Sequence, residues 1–306
     1  MIAFAGRKLR RALPAIALLS LAALSAGPAS VVAFTEPGIT GTWKDFANCP
    51  VNVIAPFEGN QCEHSYTTGG VVQIGHSSVP ISVPGDTFDV GLTEPGGQGI
   101  VMSGAHGILN GPAQPVPGGL LGVIGNTQLT GVSAKLEWAA AVPPDTLFGT
   151  SEECGGTNPF VTVDLCRAVN GRPGTAITLS VKVHLMSPFL GSACYIGSAA
   201  HPIVIPLTTG ITSPPPPAQP IHGSSLEFLT AITPVYLQVV GLTFVSNSFV
   251  VPAASGCGTS NGSLVNASIN HKLGLPSPAG QNMIAISAIG EQTQASRVIE
   301  HGWTGE

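Results

Sequence analysis

From Ala176 to Met186 the chain alternates without a break, with Ile177, Leu179, Val181, Val183 and Leu185 set against Thr178, Ser180, Lys182, His184 and Met186. Successive side chains of a strand point to opposite faces, so this period of two predicts a β-strand with one face in a core and the other in water. A second such segment runs from about Gln128 to Val142, with Val132, Ala134, Leu136 and Trp138 on one face and Lys135 and Glu137 on the other. Shorter strands are predicted at 71–75, 79–83, 87–92, 160–163, 203–207, 235–244 and 283–289. One helix is predicted from about Ser263 to Leu273, with Leu264, Ile269 and Leu273 sharing a face and Gly274 and Pro276 closing it. The run Pro214 to Pro217, followed by Ala218-Gln219-Pro220, cannot join a hydrogen-bonded ladder and is predicted to be an extended polyproline connector over 213–220.

Composition strengthens the β reading. The chain carries 39 Gly and 27 Pro, which break helices and punctuate turns, while 43% hydrophobic content argues for buried cores rather than disorder. The expected fold class is all-β, one or two β-sandwich-like units with one short helix in the C-terminal half. Ile74-Gly75, Pro80-Ile81, Val83 and Pro84 recur at the same spacing as Ile196-Gly197, Pro202-Ile203, Ile205 and Pro206. That echo suggests a duplication, with a signal segment over 1–33, one unit over 34–172 and a second over 173–306.

The first 33 residues specify a compartment. Arg7, Lys8, Arg10 and Arg11 precede an apolar stretch from Ala12 to Ala26, and Val31-Val32-Ala33 offers small residues ahead of a cut before Phe34. The stretch is short for a membrane span, and no later segment reaches the roughly 18 apolar residues that a transmembrane helix needs. Leu24-Ser25-Ala26-Gly27 resembles a lipoprotein cleavage box, but Pro28 stands where the lipid-accepting Cys is required, and 301–306 is polar. After removal of the signal, seven basic residues face sixteen acidic ones, a formal net charge of −9. With the basic residues scattered singly, nucleic acid is excluded as a partner.

All six cysteines, Cys49, Cys62, Cys154, Cys166, Cys194 and Cys257, follow the signal, and an even number in an oxidising compartment reads as disulfides. Six cysteines allow 15 connectivities. Cys49 with Cys62 and Cys154 with Cys166 would each close a short loop, leaving Cys194 for Cys257. No CxxC or HExxH motif is present, so neither a metal nor a cofactor is expected.

Cys194-Tyr195-Ile196-Gly197-Ser198, Pro202-Ile203, Leu207-Thr208-Thr209-Gly210 and the following Ser213-Pro214-Pro215-Pro216-Pro217 resemble a family of secreted actinobacterial proteins of uncharacterised function. Gly256-Cys257-Gly258, Leu273-Gly274-Leu275-Pro276-Ser277, Gly280, Phe46, Cys49-Pro50 and Ile74-Gly75 carry the same likeness, which covers most of the chain after the signal. The resemblance implies an exported, cell-envelope protein and supplies no catalytic residue.

The residues themselves assign no catalytic site. There is no GxSxG, and the eight histidines are dispersed, with His76, His106, His201 and His222 beside Gly or Pro and His184 on an outward strand face. Glu152-Glu153 beside Cys154, and Asp86 and Asp89 flanking Phe88, read as turn and solubility residues, and Gly96, Gly97 and Gly99 lack the Lys of a phosphate loop. Charge absence is the unusual feature. No Asp, Glu, Lys or Arg occurs from Pro95 to Ala134, and Glu227 alone is charged from Val183 to His271. Such stretches suit an apolar surface turned to a lipid-rich wall or another protein. The expected function is thus a secreted, disulfide-stabilised structural or interaction protein of the cell envelope, cell-surface associated, with cell-wall or envelope components as partners. The alternatives are a binding module for a lipid or other apolar ligand, and a secreted hydrolase.

Overall fold

The computed structural model describes residues 43–46, 48–54, 60–81, 83, 85–93, 98–102, 109, 111–120, 131–139, 147–151, 155–157, 161–164, 167–168, 171–225, 227–233, 236–258 and 262–300. Gly38–Glu306 form one compact unit. Among the described residues the strands make two antiparallel sheets of eight, in keeping with the alternating segments of the sequence. The first sheet holds β1 (Gln61–Ile74), β2 (Ser77–Ile81), β3 (Thr87–Thr93), β4 (Gln98–Met102), β7 (Leu147–Ser151), β13 (Phe228–Thr233), β14 (Tyr236–Ser246) and β16 (Met283–Gln294). The second holds β5 (Gln114–Pro115), β6 (Ser133–Trp138), β8 (Gly155–Thr157), β9 (Val161–Asp164), β10 (Ile177–Met186), β11 (Tyr195–Ile196), β12 (Ile203–Leu207) and β15 (Ala254–Ser255).

Both sheets draw strands from both sides of residue 172. In the first, the order is β13-β14-β16-β1-β3-β4-β7, with β2 folded back on the upper part of β1. In the second, β10 is the hub, pairing with β6, β9, β11 and β12. The spine of the first sheet is the pairing of β1 with β16, from Gln61 opposite Gln294 to Gln73 opposite Met283. Its register shifts between Thr67 and Gly69. A bulge changes which parity of residue faces the core, so Thr67 below it and Val72 and Ile74 above it all turn toward the second sheet. Gly70, next to the bulge, has φ +143°, and a Cβ there would run into the backbone of Ala285 and Ile286.

The two sheets close on one main core, to which β10 gives Leu179, Val181, Val183 and Leu185, and β12 gives Ile203, Ile205 and Leu207. Burying each such chain contributes about 1.5 to 3 kcal/mol, which is what the alternation anticipates. A second, smaller core lies against the first sheet's lower end. There a 3-10 helix, η1 (Trp43–Phe46), α1 (Val51–Ile54) and α3 (Ala295–Glu300) bring Phe46, Val51, Ile54, Ala295 and Val298 against Cys62. The Cys49–Cys62 disulfide ties this segment to β1, and Cys194–Cys257 ties the start of β11 to the segment after β15. Cys154 and Cys166 lie outside the described residues.

The predicted helix is α2 (Gly262–Leu273), ended by Leu275 N–H donating to Asn270 O and Gly274 N–H to Asn270's neighbour His271. Ile269 and Leu273 are buried as expected, but Leu264 is 53% exposed, because in the N-terminal half it is its neighbour Val265 that packs against the core. The Pro-rich segment turns rather than running extended. Ala218 N–H donates to Pro215 O, and Ile211 pairs with His222, so the loop returns on itself and is held down where Asn247 Nδ2 donates to Gln219 O. Among the described residues no helix is long and apolar enough to cross a membrane.

Adjacent residues of β12 separate core from surface cleanly. Ile203 is 1% exposed and Val204 45%, so Ile203→Ala is expected to cost about 2 to 5 kcal/mol in urea denaturation and Val204→Ala under about 1 kcal/mol. Replacing both Cys194 and Cys257 by Ala, which frees a link spanning 63 residues, is expected to cost about 2 to 5 kcal/mol in the same assay.

Candidate functional site

The facing inner surfaces of the two sheets do not fill the space between them. A cavity of about 130 Å3 remains, walled by β1 and β2 and by Ile284 and Ile286 of β16 on one side, and by β6, β10, β11 and β12 on the other. Leu109, Val116, Leu120, Phe249 and Leu273 complete the lining. These walls follow directly from strand alternation, since each contributing strand turns its aliphatic parity inward. Native interiors are packed to crystal-like density, and voids larger than a water molecule are few. An apolar cavity of this size stays dry and accepts a ring-sized guest; one of about 150 Å3 holds benzene.

The polar residues of the lining are few: Thr67, Ser77, Asp86, Gln114 and Lys135. Asp86 precedes β3, and its backbone oxygen accepts from Thr67 N–H at the bulge. Gly111 packs so closely that a Cβ there would meet the Asp86 carboxyl and backbone. Burial pushes the Asp86 carboxyl up to about 6, with the Lys135 charge pulling the other way. Deeper along β1, burial pushes Glu63 up to about 7, partly offset by a hydrogen bond from Ser65 Oγ at 3.4 Å.

The opposite face of β1 carries a second constellation. In register across four strands stand Gln238 on β14, Glu291 on β16, His64 on β1 and Asp89 on β3. His64 Nδ1 and Asp89 Oδ1 are 2.5 Å apart, Asn48 Nδ2 donates to Asp89 Oδ2 at 3.2 Å, and Gln238 Nε2 donates to Glu291 Oε1 at 3.2 Å. His64, Asp89 and Glu291 are 8%, 1% and 5% exposed. Burial pulls the His64 imidazole down, but the hydrogen bond and charge of Asp89, with the charges of Asp45 and Glu291, outweigh it and leave its pKa raised.

The histidines singled out by sequence do not converge. His76 is exposed beside Gly274, and His201 and His222 are exposed in loops. His184 lies on the outer face of β10, stacked on Tyr195 at 4.4 Å and 3.3 Å from Glu137, which Lys182 also approaches at 3.6 Å. His106 and Glu152-Glu153 fall outside the described residues. Asp86 and Asp89, three apart on one strand entry, serve opposite faces of the sheet, one in the cavity lining and one on His64. His64 is not among the residues that the sequence singles out. Its partners lie on other strands, and only the alternation of Cys62, His64 and Tyr66 hinted at a shared face. No protein-family profile, curated protein or solved structure matches the chain.

Asp86, Glu63 and His64 all hold a proton more tightly in the fold than in an unfolded chain. Stabilisation from such groups is complete below the unfolded pKa and is lost as pH rises through the folded one. The window runs from 3.8 to about 6 for Asp86, from 4.5 to about 7 for Glu63, and upward from 6.5 for His64. Unfolding free energy is therefore expected to be higher at about pH 5 than at about pH 8, by roughly 1 to 3 kcal/mol at 1.36 kcal/mol per unit. Glu63→Gln is expected to flatten the profile. Urea titrations at the two pH values check both, and stability that climbs with pH would contradict the assignment.

Proposed function

We propose that the protein is an exported, non-catalytic binding module of the cell envelope that holds a small apolar molecule, or the apolar end of a larger one, between its two sheets. The single observation that carries this reading is the apolar cavity, whose walls come from both sheets and whose lining is predominantly aliphatic. A volume of about 130 Å3 suits a ring or a short alkyl segment and is too small for a two-chain lipid. Asp86, Gln114 and Lys135 in the lining would orient a polar end, as the few polar groups of an apolar pocket usually do.

Attachment to the envelope is supported by the surface. Of the large hydrophobic side chains exposed among the described residues, Met186, Phe189, Val204, Ile211, Val250 and Leu264 belong to the 183–271 stretch in which Glu227 alone is charged. Only Val83 and Ile299 lie elsewhere. Apolar contact with a lipid-rich wall persists at high salt, where exposed ion pairs are screened.

Two measurements test the cavity. Solvent extraction of protein produced by its native host, followed by mass spectrometry, is expected to yield one apolar compound in near-stoichiometric amount. Benzene titrated into the emptied protein is expected to shift the methyl resonances of Val183, Ile205 and Ile284 saturably, and Ala134→Phe, which fills the cavity from β6, is expected to abolish that shift. An empty native protein that also fails to take up benzene would overturn the reading.

A further inference from the structure

Among the described residues the cavity lining holds one acid and one base, Asp86 and Lys135, in walls that are otherwise apolar except for Thr67, Ser77 and Gln114. The sheets fix where these two stand. Asp86 is pinned at the bulge of β1, where its backbone oxygen accepts from Thr67 N–H at 3.0 Å, and Gly111 packs so closely that a Cβ there would collide with Oδ1. Lys135 belongs to β6 of the opposite sheet. Burial raises the Asp86 carboxyl and the Lys135 charge pulls it back, so the acid is withdrawn from water and the base offsets its charge.

The charge-free stretch of the sequence bears on this balance. No Asp, Glu, Lys or Arg occurs from Pro95 to Ala134, and that stretch gives Leu109, Gln114, Val116, Leu120 and Ala134 to the lining, as well as Gly111 beside the Asp86 carboxyl. Among the described residues the lining therefore carries one negative and one positive charge. A guest carboxylate would set a second negative charge near Asp86, and a guest ammonium a second positive charge near Lys135. Either brings net charge among apolar walls, which penalise it heavily. An uncharged hydroxyl escapes that penalty and gains a strong partner. An ionised carboxyl accepts at about four lone-pair sites, and a hydrogen bond to a charged acceptor is roughly twice as strong as one between neutral groups.

We propose that the guest of the cavity is an uncharged hydroxyl compound, whose O–H donates to the Asp86 carboxylate while its ring or alkyl part fills the apolar space; this rests on the binding role put forward above. Asp86 is then the residue that sets specificity, and the Asp86–Lys135 balance shuts out carboxylic acids and amines of the same size.

The test is an NMR titration of the full protein at about pH 8, where Asp86 is ionised and phenol is not, read on the methyl resonances of Val183, Ile205 and Ile284. Phenol is compared with toluene, its match in size, and n-butanol with n-butylammonium and butyrate. Phenol is expected to bind about 10-fold more tightly than toluene, and n-butanol at least 10-fold more tightly than either ion. Phenol is also expected to lower the pKa of the Asp86 carboxyl, followed by its carbon resonance, which toluene leaves unchanged. Asp86→Asn is expected to cut the advantage of phenol at least 3-fold and to leave toluene within about 2-fold. Lys135→Gln, which serves if that variant does not fold, is expected to admit n-butylammonium in preference to n-butanol. Toluene bound as tightly as phenol, or butyrate as tightly as n-butanol, would overturn the proposal and leave the apolar role of the cavity standing. Failure of every probe to bind would overturn both.

Discussion

Everything described hangs on the ladder between β1 and β16. These two strands exchange hydrogen bonds over almost their whole length, and the residues they pair stand at least 210 positions apart, the separation of Gln73 and Met283. The ladder supplies one wall of the cavity on its inner face and the centre of the His64 row on its outer face. The bulge between Thr67 and Gly69 makes the two compatible. Without that one-residue shift, alternation would turn Val72 and Ile74 outward while Cys62 and His64 kept their side, and the cavity would lose its wall.

The two faces solve burial in different ways. On the inner face the cost of an imperfectly filled core is only lost dispersion contact, and the strands there tolerate a void because its walls are predominantly aliphatic. On the outer face polar groups are buried on purpose, each tied to a neighbour on the next strand, and the small core of Phe46, Ile54 and Val298 covers them. The Cys49–Cys62 link sits in that cover, two residues along β1 from His64, and fixes η1 and α1 over the row.

How much of this could be read in advance depends on whether the signal was local. β10, β12 and the C-terminal half of α2 advertise themselves because their buried faces are purely aliphatic and their exposed faces polar. The lower half of β1, Gln-Cys-Glu-His-Ser-Tyr-Thr-Thr, does not, because it buries His64 on one side and half-buries Glu63 on the other and so shows no apolar period. β4, β7 and β13 are not legible either, being segments of five or six residues without a clean alternation. The same reason hid both candidate sites. A cavity is a mismatch between two surfaces, and the His64 row is a register across four strands, and neither is a property of any one segment. The echo between 74–84 and 196–206 is instructive here: Ile74, Ile81, Ile196 and Ile203 all reach the cavity, yet Val83 is 68% exposed where its counterpart Ile205 is 4%.

The placement of β16 also dictates an order of events. A chain emerging from its N-terminal end forms β1 long before its central partner exists, and until Met283–Gln294 arrives the first sheet is split between β14 and β1, with two unpaired edges facing each other across the gap. Such remote pairing makes for slow folding, since chain closure must precede any reward from contacts. It also means that both faces come into being together, in the last step, when one strand slides between two that have been waiting for it.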